Sequence, residues 1–383
     1  MAQRRLPGFV WEYLEGGAED ERTLARNRDA FADLRLVHHV LVDVSQRTLA
    51  ATLFGVPAAM PLVIGPTGFN GLYWRNADIA LARAARAADI PFTLATGASD
   101  SLEEVAKHAG GRLWMMLLVL RDPKVAERLI ERADQAGCEA LVVTLDAPVY
   151  GNRTWEARTM RGARRSLAWS ARFETLLHVR WVFGVLLRGL PGFGNIAEFL
   201  PPDQRGALDG ARFLTSQSNS ALTWDGIRAL RDRWKRKLVL KGIVATSDAE
   251  QAARIGVDGI FISNHGGRQL DGEVAPIDVL EDIVRAVGSK LEVIIDGGFR
   301  RGTDIVKALA LGARAVALGR ATLYGVASGG EPGAMRAIEI LRTEIDRTLA
   351  LLGCRSIDEL SPAHVHGHAR PHTPSGQRVR VGS

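Results

Sequence analysis

The amino-acid sequence predicts an α/β fold, a closed (β/α)8 or TIM barrel with a long insertion after its fourth strand. The first observation is a series of apolar runs of strand length, whose continuous hydrophobicity is typical of parallel strands buried on both faces. The eight runs cover residues 62–65, 92–95, 113–118, 140–145, 238–241, 259–263, 293–296 and 315–319. The second observation is that Ala-rich, charged segments of helical length separate these runs, such as 78–89, 123–136 and 304–311. Eight alternations favour a closed barrel, and an open doubly wound sheet is the alternative.

One interval breaks this alternation, because residues 146–237 separate the fourth run from the fifth. We therefore predict that residues 150–221 form an insertion on the loop side of the barrel. Within it, residues 180–200 are too often interrupted, by Arg188 and Pro191, to span a bilayer, yet too apolar for a solvated loop. Three alternatives explain this segment: a membrane-interface patch flanked by arginines, a lid packed on the barrel, or a contact between subunits.

The length suits one elaborated barrel domain, which we expect to cover residues 1–362. A hydrophobic fraction of 46% excludes a disordered or collagen-like chain. Residues 363–383 are polar, contain Gly and Pro, and hold four of the nine histidines. Such termini are usually disordered, so we expect a disordered tail there and no metal site.

The formal charge is +6, from 49 Lys and Arg against 43 Asp and Glu. Six arginines lie between residues 161 and 188, where Glu174 alone opposes them. This concentration indicates a local basic surface, and we expect no nucleic-acid partner. The two cysteines, Cys138 and Cys354, provide no disulfide framework, and the first ten residues lack the apolar core of a secretory signal. A cytoplasmic location is therefore the expectation.

Polar residues follow the apolar runs, at the carboxyl ends where a barrel carries its reactive groups. Thr67 follows the first run, Thr96 the second, and Thr144 and Asp146 the fourth. The sixth and seventh runs lead into the segments SNHGGRQLD (263–271) and DGGFRRG (296–302). Packing of the core does not require polar residues at these positions, so the pattern predicts a functional site.

Four side chains in these segments have the chemistry of a site for a hydroxy or amino acid. His265 can accept a proton, and Arg268 can hold a carboxylate through two parallel hydrogen bonds. Asp146 can accept a hydrogen bond from the imidazole and stabilise its protonated form. Lys241 ends a buried strand and needs a partner. Lys241 either forms a structural ion pair or serves as a cation that stabilises negative charge developing on a cofactor.

The seventh and eighth runs each end in a glycine with an arginine nearby, namely Gly298 with Arg300 and Gly319 with Arg320. Barrels commonly hold a phosphate at this place, because glycine exposes backbone N–H groups and arginine supplies a forked, charged donor. The sequence therefore predicts a ligand that bears a phosphate.

Taken together, these segments resemble the FMN-dependent 2-hydroxy acid dehydrogenase/oxidase family from about Arg5 to Pro362. The resemblance rests on YLEGGAEDE (13–21), LKG (240–242), SNHGGRQLD (263–271), DGGFRRGTDIVKALALGA (296–313) and LGRATLYG (318–325). IGPTGFNGLYW (64–74), DRTLA (346–350) and residues 180–200 are most similar to the membrane-associated branch of the family that oxidises (S)-mandelate. The resemblance implies FMN as cofactor, oxidation of an (S)-2-hydroxy acid to a 2-oxo acid, and a homotetramer on the inner face of the cell membrane.

The resemblance also implies roles for individual residues. His265 would be the active-site base, with Asp146 as its partner and Lys241 beside the flavin. The substrate would be held by Tyr13, Arg153 and Arg268, with Leu118 and Gly68 next to it. FMN would contact Pro66, Thr67, Gly68, Thr96, Met116, Thr144, Lys241, Asp296, Gly297, Gly298, Arg300, Gly319 and Arg320. The α-hydrogen would leave as a hydride or as a proton, and these residues are compatible with both.

Three positions depart from the pattern of the family. Met116 and Leu118 stand where a Gln and a Tyr are usual, and Ala95 stands where a Ser is usual. The loss of these polar groups predicts a more apolar site and a substrate larger or more hydrophobic than lactate. Gly68, where several oxidases carry Ala, favours a membrane quinone over O2 as electron acceptor. The alternatives are a flavin oxidase of an amino-acid-like or peptide-derived substrate, and an inactive barrel that binds lipid or nucleic acid.

Overall fold

The computed structural model describes residues 1–154, 160–161 and 166–367, and its centre is the predicted closed barrel. We number its eight parallel strands β1 to β8 in chain order. They are β1 Leu62–Ile64, β2 Phe92–Ala95, β3 Leu113–Leu118, β4 Ala140–Thr144, β5 Lys237–Ile243, β6 Gly259–Ile262, β7 Glu292–Ile295 and β8 Ala315–Leu318. Because β8 pairs with β1 in parallel, the sheet has no edge and the open-sheet alternative is excluded.

A helix follows each strand and covers the outside of the barrel. These helices are α4 Ala77–Ala87, α5 Leu102–His108, α6 Pro123–Gln135, α10 Trp224–Arg233, α11 Thr246–Ile255, α12 Pro276–Val287, α13 Gly302–Ala310 and α14 Arg320–Leu352, the last interrupted at Gly329 and Gly330. Before the barrel come α1 Ala2–Arg5, α2 Gly8–Glu15 and α3 Arg22–Asp33. The insertion contributes α7 Trp169–Leu177, α8 Val179–Gly184 and α9 Ala207–Ser216.

The interior of the barrel is filled by side chains at its amino end. Trp114, Val142, Val239, Phe261 and Ile294 belong to one buried cluster inside the strands. A hairpin of strands 51–53 and 56–58 closes this end, and the ring of its Phe54 lies 5.4 Å from that of Trp114. The functional site can therefore open only at the carboxyl ends of the strands.

The carboxyl end of the barrel carries polar side chains, and the alternation of side chains along each strand explains their positions. Successive side chains of a strand point to opposite faces, so the residue two positions after an inward-facing one also points inward. The inward-facing residues of this layer are Met116, Thr144, Lys241, Ser263 and Asp296. The barrel thus changes from an apolar interior to a polar mouth within one layer.

The insertion packs on the loops that follow β1 and β2. Nε1 of the buried Trp181 donates to the carbonyl of Leu72 at 2.7 Å. The buried Asn195 donates to the carbonyl of Ala95 at 3.0 Å and accepts from the backbone N–H of Leu102 at 2.8 Å. In its described part, the insertion is therefore a lid on the barrel, as one of the three alternatives proposed.

The outer side of this lid exposes large apolar side chains, which we call the apolar face. Its exposed residues are Trp169, Phe173, Leu176, Leu177, Val179, Phe183, Leu187 and Leu190. Among the described residues, no helix combines the length and the apolar character needed to cross a membrane. The 180–200 segment thus has a buried side, which anchors it, and an exposed side with no cover in the described structure.

The ordered chain continues past the boundary expected at Pro362. Strand 365–366 pairs antiparallel with strand 35–36, and His364 is buried with Nε2 at 3.3 Å from Sγ of Cys354. The expectation of a disordered tail from residue 363 onward is therefore wrong for residues 363–367, because this pairing holds them against the N-terminal region. Residues 368–383 lie outside the described residues.

Candidate active site

An imidazole–carboxylate pair lies at the mouth of the barrel, just after β4 and β6. Nδ1 of His265 is 3.0 Å from Oδ1 of Asp146. Gly242 of β5 permits this arrangement, because its φ is +100° and a Cβ there would lie 2.6 Å from Cγ of Asp146. Burial alone would raise the pKa of Asp146, but His265 and Lys241 lower it below its usual value. The carboxylate is therefore ionised and only accepts hydrogen bonds, so Nδ1 carries the proton.

The neutral imidazole of His265 can act as a base through its other nitrogen. Burial lowers the pKa of His265 below its usual value, against the opposing effect of Asp146. The ring is therefore uncharged at neutral pH, and Nε2 has a free lone pair. His265 also has a left-handed backbone with φ of 57°, which is uncommon for a residue other than glycine. Oγ of Ser263 holds this turn by accepting the N–H of His265 at 3.1 Å.

The ammonium group of Lys241 is buried and paired. Its Nζ donates to Oγ of Ser263 at 2.7 Å and lies 3.3 Å from Oδ2 of Asp296. Burial alone would lower the pKa of Lys241, but Asp296 and Asp146 raise it. The group is therefore charged. The structural ion pair considered from the sequence exists, and it also keeps a positive charge at the mouth, close to His265.

The guanidinium groups of Arg153, Arg268 and Arg320 lie close to one another, and that of Arg153 also acts on the imidazole of His265. Nη1 of Arg268 donates to the carbonyls of Tyr13 and Gly16 at 3.1 and 2.6 Å, and Nε of Arg153 donates to the carbonyl of Arg268 at 3.3 Å. Burial lowers the pKa of Arg268 to about 9, and the charges of Arg153 and Arg320 add to this effect. Within the described chain, Arg153 and Arg268 form no ion pair with a carboxylate. An anionic ligand would relieve this excess of positive charge.

Tyr13 of α2 completes this cluster. The guanidinium carbon of Arg268 lies 5.3 Å from the centroid of the Tyr13 ring, and Phe69 meets that ring edge-on at 6.2 Å. The structure thus brings together Tyr13, Arg153 and Arg268, which the resemblance assigned to the substrate. Leu118, at the end of β3, is half-buried against the core, and Gly68 is half-buried in the loop after β1.

Buried polar atoms without a partner mark the centre of the mouth. Oγ1 of Thr144, Oδ1 of Asp296 and Oδ2 of Asp146 are buried and have no hydrogen-bond partner among the described residues. Buried polar atoms of native proteins are normally satisfied. The pyrimidine edge of a flavin offers both N–H and carbonyl groups, so these residues and the charged Lys241 suit such a ring.

Thr96 has a different environment from the one that the resemblance implies. Its hydroxyl donates to the carbonyl of Met116 at 2.8 Å and accepts from the N–H of Leu118 at 2.9 Å. The side chain therefore ties β2 to β3 within the barrel wall and has no proton to offer to a flavin. Ala95 is the inward-facing residue at this level. The expectation that the Thr96 side chain lines the flavin is therefore corrected to a role in the barrel wall. Pro66 and Thr67, in contrast, are half-buried in the loop after β1.

The glycines expected at a phosphate have the geometry of close backbone approach. Gly297 and Gly298 both have positive φ, and a Cβ on Gly298 would lie 1.8 Å from the carbonyl oxygen of Asn27. A Cβ on Gly319 would meet only Thr67, at 3.9 Å, which leaves space for a ligand beside the backbone. The open backbone at Gly319 therefore suits a phosphate, whereas Gly298 is required by its close contact with Asn27.

The two arginines expected at the phosphate are already engaged with the protein. Nη2 of Arg300 donates to the hydroxyl of Tyr324 at 3.3 Å, and a cavity of about 510 Å³ adjoins Arg300 and Gly298. Arg320 donates from three nitrogens to the carbonyls of Leu14, Gly16 and Gly266, at 2.9, 2.9 and 3.0 Å. Two of the five N–H groups of Arg320 remain for a ligand.

The sequence analysis did not assign three residues that the structure places in the site. Ser263 contacts both Lys241 and His265, and its inward direction follows from the alternation along β6. Gln269 donates to the carbonyl of Asp146 at 3.0 Å, which no local pattern indicates. Tyr73 is buried beside Tyr13, with ring centroids 6.0 Å apart, and only its aromatic character could have drawn attention to it.

The mouth of this (β/α)8 barrel combines a basic imidazole, a buried ammonium and clustered guanidinium groups. This combination is typical of an enzyme that acts on a small carboxylate with the help of a phosphate-bearing cofactor. The family model for FMN-dependent dehydrogenases matches residues 2–367. The chain is 42% identical to the (S)-mandelate dehydrogenase of Pseudomonas putida, over 97% of this chain and 93% of that protein. It is 40% identical to an L-lactate dehydrogenase of Caulobacter sp. (strain K31), over 94% of each.

A solved structure described as the monotopic membrane protein (S)-mandelate dehydrogenase superposes with a TM-score of 0.91, at 42% identity and over 96% of each chain. The chain therefore belongs to the FMN-dependent dehydrogenase family. It is an FMN-dependent 2-hydroxy acid dehydrogenase, which acts on a CH–OH group. The fold, the cofactor and the class of reaction expected from the sequence are confirmed.

Proposed function

We propose that this enzyme oxidises an (S)-2-hydroxy acid with an aromatic or otherwise apolar side chain, such as mandelate, and passes the electrons to a membrane acceptor. The observation that carries the proposal is the His265–Asp146 pair, 3.0 Å apart, beside the guanidinium groups of Arg153 and Arg268. A base and a carboxylate holder within one site would serve this reaction. The names of the mandelate and lactate dehydrogenases that resemble the chain support the same class of substrate.

In this reaction, His265 accepts the proton of the substrate hydroxyl through Nε2. Asp146 then stabilises the imidazolium, because its ionised carboxylate accepts the hydrogen bond from Nδ1. Arg153 and Arg268 hold the substrate carboxylate, and Tyr13 contacts the substrate from α2. When bound, FMN would supply the acceptor for the α-hydrogen together with the two electrons of its C–H bond, which with the hydroxyl proton on His265 accounts for both hydrogens that the substrate loses.

On the flavin side, Lys241 keeps a positive charge at the carboxyl end of β5, and its pair with Asp296 maintains that charge. Thr144 and Asp296 offer buried, unpaired oxygens to the ring. The phosphate is held by the segments 297–300 and 319–320. These roles follow the resemblance, position by position, with Thr96 contributing to the wall only.

The preference for an apolar substrate rests on the residues around the mouth. Met116 and Leu118 present no hydrogen-bonding group where the family usually has a Gln and a Tyr. The Phe69 ring, which meets Tyr13 edge-on, stacks on Phe193 of the lid at 4.8 Å and 17°. A wall of this kind stabilises an aromatic side chain by burial and edge or face contacts.

Membrane association is proposed through the apolar face of the lid. Phe183 and Leu187 are 63% and 65% exposed, and Arg180 and Arg188 lie in the same stretch of chain. Apolar side chains with flanking cations are typical of segments that lie in the membrane interface. The description of the similar mandelate dehydrogenase as a monotopic membrane protein supports this assignment. A homotetramer on the inner face of the cell membrane, with a quinone as acceptor, completes the proposal.

An anaerobic spectral titration tests the proposed reaction. Addition of (S)-mandelate to the FMN-loaded protein is expected to bleach the flavin absorbance, whereas (R)-mandelate, the matched control, leaves it unchanged. (S)-Lactate is expected to reduce the flavin more slowly, because it lacks the group that the aromatic wall buries. Re-oxidation of the reduced protein by a soluble quinone faster than by O2 supports the membrane acceptor.

The second candidate, an oxidase of an amino-acid-like substrate, is favoured by the loss of polar groups at Met116 and Leu118. It predicts that an aromatic L-amino acid bleaches the flavin while 2-hydroxy acids do not. That outcome, or a flavin that stays oxidised with every 2-hydroxy acid, would contradict the proposed function.

A further inference from the structure

Tyr73 is a buried phenol next to the substrate site, and neither the resemblance nor the roles proposed above use it. It follows the 3-10 turn Asn70–Leu72 after β1, and its N–H donates to the carbonyl of Asn70 at 2.9 Å. The preceding carbonyl, of Leu72, accepts Nε1 of Trp181 at 2.7 Å. The side chain is 2% exposed, so both the turn and the lid fix its position.

The surroundings of this side chain are those of the substrate site. The ring of Tyr73 lies 6.0 Å from that of Tyr13, at an angle of 30°. Burial raises the pKa of Tyr73 well above its usual value, Tyr13 adds to this effect, and the nearby charges of Arg268, Arg320 and Arg153 oppose it. The phenol therefore keeps its proton at physiological pH and can act as a donor.

The hydroxyl of Tyr73 has no hydrogen-bond partner among the residues that the structure describes. This oxygen is not among the fully buried polar atoms that lack a partner, so it borders open space in which a ligand can lie. The charges next to it are guanidinium groups, which donate hydrogen bonds and cannot accept one. An anion bound by these groups would provide the missing acceptor.

The site also lacks one phenol that the family usually has, because Leu118 stands where a tyrosine is usual. We propose that Tyr73 donates a hydrogen bond to the carboxylate of the bound 2-hydroxy acid, next to Arg268, and replaces the phenol absent at Leu118. This inference rests on the proposed function. Arg268, expected at the carboxylate, is the cation that acts most strongly on Tyr73. The carboxylate is therefore favoured over the cofactor phosphate as its partner.

The test is Tyr73→Phe, which removes only the hydroxyl. An aromatic 2-oxo acid, benzoylformate, is titrated into the FMN-loaded proteins, and its dissociation constant is read from the flavin difference spectrum. A hydrogen bond to a charged group contributes enough free energy to predict a dissociation constant about tenfold higher in the variant. The affinity for FMN, measured by fluorescence after dialysis, is expected to be unchanged.

Tyr324→Phe is the matched control, because it removes another phenol close to α2, that of the half-buried Tyr324. Tyr324 contacts Glu15 and Arg300, on the phosphate side. We expect this variant to alter the affinity for FMN and to leave that for benzoylformate unchanged.

The outcomes separate this inference from the proposed function. Equal benzoylformate affinity in the wild type and Tyr73→Phe overturns the role of Tyr73, while flavin reduction by (S)-mandelate still upholds the proposed function. A weaker FMN affinity with normal benzoylformate binding makes Tyr73 a cofactor contact and also overturns the inference. A wild-type protein that neither binds benzoylformate nor is reduced by (S)-mandelate overturns both.

Discussion

Ser263 links the two titratable groups on which the proposed chemistry depends. Its Oγ accepts hydrogen bonds from the ammonium of Lys241 at 2.7 Å and from the N–H of His265 at 3.1 Å. The second bond holds His265 in its left-handed conformation, which is unfavourable by about 1–2 kcal/mol for a residue with a Cβ. A conformational strain of this size is typical of functional residues, so the backbone supports the role proposed for the imidazole.

The replacement Asp146→Asn tests the pair at the level of single residues. As the proposed base, His265 would act in its neutral form, so kcat/KM in the wild type is expected to rise with pH through the lowered pKa of His265 and to be lost below it. Asp146 opposes this lowering, and its removal therefore moves the acid limb to still lower pH. The plateau of kcat/KM is expected to fall by about 10²–10⁴, because the imidazolium loses its partner and the tautomer is no longer fixed.

The measurement is the pH profile of kcat/KM, with FMN content checked in parallel. Asp203→Asn, at an exposed position of the lid, is the control and should leave the profile unchanged. A profile of Asp146→Asn that coincides with the wild type would contradict the assignment of Asp146 as the partner of the base.

Among the elements, α7 connects the apolar face of the lid with α2. Both carboxylate oxygens of Glu174 accept the N–H of Gly8, at 3.1 and 3.2 Å, and Nε2 of His178 lies 2.6 Å from the same carboxylate. A negative charge at the start of a helix interacts favourably with its dipole. Because α2 also carries Tyr13, the lid supports the helix that we propose to contact the substrate, while its outer side exposes apolar side chains.

The double replacement Phe183→Asn and Leu187→Asn tests the membrane role of the lid. Both side chains are exposed, so the change is not expected to disturb the fold. Each replacement removes about 1.5 kcal/mol or more of the free energy gained when the side chain is buried in a membrane. We therefore expect at least about a hundredfold weaker binding to vesicles that contain phosphatidylglycerol. Sedimentation with the vesicles measures this binding.

Leu351→Asn is the matched control, because Leu351 is 70% exposed on α14, outside the apolar face. It should bind vesicles as the wild type does. Undiminished binding of the double variant, with FMN content and bleaching intact, would exclude the apolar face as the membrane contact.

The elements of the barrel were predictable because each has a repeating signal. Continuous apolar runs located all eight strands, and β1 begins at Leu62 as its run does. The lid had no such signal, since single polar contacts of Trp181 and Asn195 anchor it to loops distant in sequence. Thr96 shows the same limit within the site: its position followed from the resemblance, whereas the direction of its side chain depends on the neighbouring strand.

For the whole molecule, the site forms only when distant parts of the chain meet. Arg320, at the start of α14, binds the last carbonyls of α2, and Arg268 after β6 binds the same helix end. Strands 35–36 and 365–366 pair the N-terminal region with residues beyond α14. The residues proposed to bind the substrate thus come from the N-terminal helix α2, the insertion and the barrel loops, so the geometry of the site depends on the complete fold.

The buried carboxyl of Asp78 is expected to make the stability of this fold depend on pH. It accepts hydrogen bonds from Nδ2 of Asn70 at 2.7 Å and from the N–H groups of Ser99 and Asp100 at 2.9 and 3.1 Å. Burial, with a further contribution from Asp100, raises the pKa of Asp78 to about 7. In an unfolded chain this pKa is about 3.9. Between these two pKa values the folded protein retains a proton that the unfolded chain releases, so the stability that this proton contributes decreases from about pH 4 and is lost by about pH 7.

The variant Asp78→Asn cannot ionise, so we expect its thermal midpoint to fall less than that of the wild type between pH 5.5 and 8. The difference between the two midpoints isolates Asp78, because other groups that titrate in this range, such as His265, are present in both proteins. Circular dichroism measures the midpoints. Asp89→Asn, at the exposed position just after α4, is the control and should follow the wild type. Parallel curves for the wild type and Asp78→Asn would mean that Asp78 is already ionised at pH 5.5, and would contradict a raised pKa.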